Sequence, residues 1–163
     1  MKLLASDGAL LGTFNVGKGP ESVAFDGANV WVTNYYDNTV TELRASDGTM
    51  IGSFAAGHNP VGVAFDGANI WVANYSGNTV TKLRASDGAP LGTFSVGRGP
   101  INVAFDGTNI WVTNALDNTV TNLRTSNSAV LGTFPVGTYT GGIAFDGASI
   151  WVANANSNTL SKP

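Results

Sequence analysis

Short runs of alternating apolar and polar residues fill the chain, broken by Gly, Asn, Asp and Pro. The stretch 61–100 shows the pattern. Val61-Gly62-Val63-Ala64-Phe65 is an apolar run that stops at Asp66-Gly67, a tight-turn pair. Asn69-Ile70-Trp71-Val72-Ala73-Asn74 is a second run, followed by the loop Tyr75-Ser76-Gly77-Asn78. Thr79-Val80-Thr81-Lys82-Leu83-Arg84 alternates with period two, as a half-exposed strand does. Ser86-Asp87-Gly88 turns the chain again, and Leu91–Val96 is a fourth run, broken by Gly97, Gly99 and Pro100. The pattern predicts four antiparallel strands joined by short turns.

The same pattern recurs at a fixed spacing. Trp31, Trp71, Trp111 and Trp151 are forty residues apart, and so are Phe25, Phe65, Phe105 and Phe145. Asn34, Asn74, Asn114 and Asn154 keep the same spacing, as do Phe14, Phe54, Phe94 and Phe134. Internal repeats of this length mark repeat architectures. One four-stranded meander cannot cover both of its faces, whereas copies stacked face to face around an axis can. The expected fold is therefore all-β: a β-propeller with four blades of four antiparallel strands, formed by residues 1–163 as a single unit. Helix is disfavoured, because Gly, Asn and Thr are poor helix formers and no 3.6-residue stripe appears. Forty residues with three turns are too many for one solenoid coil.

The register of the repeat is offset. Met1–Leu3 correspond to Ser161–Pro163, so residues 1–17 supply a lone fourth strand and residues 138–163 supply the first three strands of a blade. The N-terminal strand is expected to complete the last blade. Three routes are open: one chain closing as a four-bladed ring, two chains forming an eight-bladed ring, or an exchange that runs on as a filament. The partner expected on these grounds is the chain itself.

Composition narrows the function classes. The net charge of −3 lacks the basic stripe that a nucleic-acid partner needs. There is no cysteine, which removes disulfides and thiolate chemistry. No apolar stretch reaches the length of a membrane span or a signal peptide. One histidine without cysteine leaves only carboxylates for a metal, and no metal or cofactor is expected. The repeated Trp reads as packing between blades. Asp26, Asp66, Asp106 and Asp146 read as turn residues, since they lack the alternating acids and closing Glu of a calcium loop.

The run Trp31-Val32-Thr33-Asn34, followed by Asn38-Thr39-Val40, resembles the YVTN-type β-propeller repeat, with Val96-Gly97 and Pro100 matching the later Val-Gly and Pro. Trp stands where that family commonly has Tyr. The resemblance spans the chain and implies an extracellular or cell-surface binding scaffold. The architecture also looks like that of streptogramin-inactivating lyases, seven-bladed propellers that use a His and acidic residues. No motif here carries those roles, so a lyase activity is the least favoured alternative and a non-enzymatic module the preferred one.

The copies differ in two places. One is the link between units, from Lys18 to Ser22 and its counterparts. The other is the loop after the second strand, from Tyr35 to Asp37 and its counterparts. In an up-and-down sheet these loops share one end, and the near-uniform Asp-Gly turns share the other. Diverse loops on a rigid scaffold are where binding concentrates. The candidate ligand-binding rim comprises Lys18, Glu21, Tyr35, Tyr36, Asp37, His58, Asn59, Tyr75, Arg98, Asn102, Asp117, Tyr139 and Asn156. Small molecules, glycans and proteins are the ligand classes such a rim admits. A self-assembling oligomer or filament protein is the alternative reading. No catalytic set of nucleophile, base and orienting group is visible.

Overall fold

The computed structural model describes all 163 residues and contains strands but no helices. A short N-terminal hairpin comes first, β1 (Lys2–Leu3) and β2 (Leu10–Gly12). Blade 1 is β3 (Pro20–Phe25), β4 (Asn29–Asn34), β5 (Thr39–Arg44) and β6 (Met50–Ala55). Blade 2 is β7 (Pro60–Phe65), β8 (Asn69–Asn74), β9 (Thr79–Arg84) and β10 (Pro90–Ser95). Blade 3 is β11 (Pro100–Phe105), β12 (Asn109–Asn114), β13 (Thr119–Arg124) and β14 (Val130–Pro135). Blade 4 has three strands, β15 (Thr140–Phe145), β16 (Ile150–Asn154) and β17 (Thr159–Ser161). Each sheet is an antiparallel meander in sequence order, as the alternation predicts.

The core lies between blades. Trp31 and Val40 of blade 1 pack on Val63, Ile70, Val72 and Leu83 of blade 2. Trp71, Ala73 and Val80 of blade 2 meet Ile110, Val112 and Leu123 of blade 3 in the same way. Burying each such aliphatic side chain contributes about 1.5–3 kcal/mol. The first strands of successive blades lie side by side. Beside them, the Thr33 hydroxyl of β4 donates to the Val61 carbonyl of β7 across the first junction at 2.7 Å. Gly62 sits where a Cβ would run into the Ile101 carbonyl, so the approach of β7 to β11 requires a glycine there.

The blades form an open arc. Val23 and Phe25 on the outer face of blade 1 are 63% and 59% exposed, although their counterparts in blade 2, Val63 and Phe65, are buried and half-buried. On the far face of blade 4, Trp151 is 38% exposed while Trp31 and Trp71 are fully covered. Strand β2 pairs with β1, and β17 pairs with β16 alone. The N-terminal segment nevertheless occupies the position of a blade's outer edge. Phe14 lies against Gly48 of blade 1 as Phe54 lies against Gly88 of blade 2.

Candidate functional site

The two variable loops of each blade lie on one rim and are tied together. Within blade 1, Tyr35 N donates to Gly19 O at 2.8 Å; in blade 2, Tyr75 N donates to Asn59 O at 2.9 Å. Between blades, a repeated asparagine reaches forward. The Oδ1 atoms of Asn38, Asn78 and Asn118 accept from Asn59 N, Gly99 N and Tyr139 N at 2.8, 3.0 and 2.8 Å. These asparagines sit in the left-handed backbone region, with φ of 57°, 54° and 56°. Asn tolerates that region because its short side chain bonds locally. The rim backbone is thus fixed while most of its side chains point to solvent.

The expected rim residues fall into local groups. The rings of Tyr35 and Tyr36 meet edge to face, with centroids 5.1 Å apart. Beside them Asp37 Oδ2 accepts from Lys18 N at 2.8 Å. Asn59 Nδ2 donates to Tyr35 O at 3.1 Å, which joins the loops of blades 1 and 2. In blade 3, Arg98 Nε pairs with Asp117 Oδ1 at 2.8 Å, and Arg98 N donates to Asp117 Oδ2 at 2.7 Å. Those bonds hold the Asp117 carboxyl below its ordinary value, the backbone bond from Arg98 first among them. The Tyr75 ring lies beside Gly99, bringing the loops of blades 2 and 3 together. Glu21, His58, Tyr139 and Asn156 are exposed along the arc. Asn102 is placed differently: its Nδ2 donates to Gly141 O at 3.0 Å, so its side chain serves the junction between inner strands.

A hollow of about 460 Å³ opens beside Asp117. Ser95, Thr119, Thr121 and Thr133 give it a hydroxyl-rich lining. No group of three or more His, Asp or Glu side chains comes close enough to hold a metal ion.

The opposite rim is a collar of Asp-Gly turns with a role beyond turning. In every blade the indole Nε1 donates to the turn aspartate: Trp31 to Asp26, Trp71 to Asp66, Trp111 to Asp106 and Trp151 to Asp146, at 2.7, 2.7, 2.6 and 2.7 Å. The other oxygen accepts from two backbone amides, as Asp26 Oδ1 does from Ala28 N and Asn29 N. Burial alone raises the pKa of Asp26, Asp66 and Asp106, but the indole and amide bonds outweigh it and leave each lowered. Asp146 is lowered to about 2, chiefly by the Trp151 indole. Reading these residues as turn formers alone, and the tryptophans as packing alone, missed this bond. The signal was present as a constant five-residue separation in all four copies.

Lys82 is a second unforeseen element. It pairs across the ladder with Trp71, its ammonium lies 4.8 Å from the ring centroid, and its Nζ donates to Thr125 O of blade 3 at 2.6 Å.

No protein-family model matches the chain, and no curated protein matches it. Among solved structures, a catalytically inactive virginiamycin B lyase from Staphylococcus aureus with quinupristin is similar, with TM-score 0.79 and 22% identity over 98% of this chain and 57% of the lyase. Hydrazine synthase from Kuenenia stuttgartiensis matches with TM-score 0.74 and 17% identity, over 96% of this chain and 53% of that one. The computationally designed Ika4 protein matches with TM-score 0.81 and 12% identity, over 91% of this chain and 92% of Ika4. The chain spans just over half the length of the two enzymes. At these identities the likeness shows the repeated-blade fold.

Proposed function

We propose that this chain is a non-enzymatic binding scaffold whose ligand sits on the variable rim, at the junction of blades 2 and 3. The observation that carries the reading is the contrast within the rim: a repeated asparagine fixes the backbone, while the residues displayed there change from blade to blade. A fixed backbone limits the ordering cost of binding to that of the side chains. Tyr75, the Arg98–Asp117 pair and the hydroxyl-lined hollow supply an aromatic face, charge and hydrogen-bonding groups side by side. That set suits a polar ligand with one apolar face, and a saccharide is the ligand class to try first.

The test is an amide-resolved NMR titration of the chain against a panel of oligosaccharides. Shifts concentrated at residues 75–78, 98–99 and 115–118 are expected. Shifts confined to the Asp-Gly collar, or a measured turnover lost on changing His58→Ala, would overturn the reading.

A further inference from the structure

The open face of blade 1 is a socket. A hollow of about 520 Å³ is lined by Val23, Val30, Val32 and Leu43, with Phe14 and Val16 at its edge. The counterparts of the first four, in blade 2, are Val63, Ile70, Val72 and Leu83, and these are the residues that enclose Trp31. The hollow is therefore an interblade junction with its tryptophan side missing. The open face of blade 4 is the matching plug. It presents Trp151, and Leu160 at 67% exposure, where the corresponding Val40, Val80 and Val120 are fully buried.

We propose that a second copy of this chain occupies the socket, and that two copies close one eight-bladed ring through two such junctions. The complementarity is demonstrated within the chain, whose internal junctions join the same two faces. The exposed end faces favour two copies over self-closure. Val23 and Phe25 at one end and Trp151 and Leu160 at the other all meet solvent, so the two ends of the arc do not cover each other. Two arcs of this kind make a ring within the usual range of about four to eight blades. A head-to-tail contact whose rotation closes gives a ring with no uncovered blade face.

The junction requires one exchange. Lys2 Nζ donates to Ala45 O at 2.8 Å, the bond that Lys82 makes to Thr125 O in the next-but-one repeat. Lys162 lies over Trp151, 5.3 Å from the ring centroid, as Lys82 lies over Trp71. When Trp151 enters the socket, Lys162 arrives at Ala45 O and Lys2 leaves. Strand β2 then pairs with the free edge of β17, completing blade 4 with its fourth strand. This proposal does not rest on ligand binding at the rim.

The experiment is light scattering on the eluted chain at about 100 μM, which populates even a complex with Kd of ~10 μM. The expected mass is twice the 16.8 kDa of one chain. Val23→Glu and Leu160→Glu change exposed residues on the two opposite faces, so each is expected to keep its β circular dichroism and elute as one chain. Mixing the two variants leaves one junction intact and restores the two-chain mass. Lys2→Ala, which removes only the side chain that must leave, keeps the two-chain mass. A single-chain mass for the unmodified protein, or a mass that climbs past two chains with concentration, overturns the proposal. So does a folded Val23→Glu or Leu160→Glu variant that still elutes as two chains, a mixture that stays at one, or a Lys2→Ala variant that falls to one.

Discussion

The two rims of the arc use loops of similar length for opposite ends. On the collar, the aspartate side chain is committed to its own blade: one oxygen holds the turn amides and the other holds the tryptophan. On the variable rim, the recurring tie between blades is the asparagine at 38, 78 and 118, and most residues beside it carry little of the fold. Repetition marks the positions whose side chains hold the structure. Variation marks the positions where only the backbone path matters.

That contrast can be broken most severely at the collar's own anchor. Trp71→Ala removes a fully buried indole from the junction of blades 2 and 3 and is expected to cost about 3–5 kcal/mol in denaturant unfolding. Asp66→Ala leaves the Trp71 indole N–H and two turn amides without their acceptor, and about 1–3 kcal/mol is expected. A loss there no larger than that of a rim substitution would erase the distinction between the rims.

Acid acts on all four blades at once. Asp146 titrates at about 2 in the fold against 3.8 ordinarily, so the unfolded chain binds its proton first as pH falls. Its stabilisation is complete above pH 3.8 and is lost as pH falls toward 2. The collar carboxyls of the other blades shift the same way. Glu42 opposes them, because burial and the neighbouring Asp26 charge raise its pKa. Melting temperature followed through that interval is expected to fall, and substituting Asp146→Asn should flatten the slope.

On the variable rim the effects shrink. Asn78→Ala loses the bond to Gly99 N and puts alanine in the left-handed region, for about 1–2 kcal/mol. Tyr36→Ala and His58→Ala change exposed side chains and are expected to stay within about 0.5 kcal/mol of the unmodified chain. Arg98→Ala breaks an exposed ion pair, and about 0.2–1 kcal/mol is expected. Thermal unfolding of the three variants side by side checks this end of the scale.

Much of the fold was legible because its signals are local. Period-two alternation, Asp-Gly turns and a forty-residue spacing fix strand order, and strand order alone puts the two variable loops on one end. The site was legible only as a set of loops. That Arg98 would meet Asp117, nineteen residues away, depends on how the interblade link folds back over the blade. Asn102 looked like a rim residue because it stands in a variable stretch, yet it lies inside β11, where its amide reaches the neighbouring strand. Curvature left no trace in the sequence, since it follows from how far apart whole sheets are wedged by the side chains between them.

The graded cover over the four tryptophans makes the chain report optically on itself. Trp31 and Trp71 are sealed, Trp111 is partly covered, and Trp151 meets water at the end of the arc. A small dissolved quencher such as iodide therefore reaches Trp151 most readily, Trp111 less, and Trp31 and Trp71 not at all. Anything that covers the face of blade 4 removes that quenchable fraction and moves emission to shorter wavelength, with no label attached to the protein.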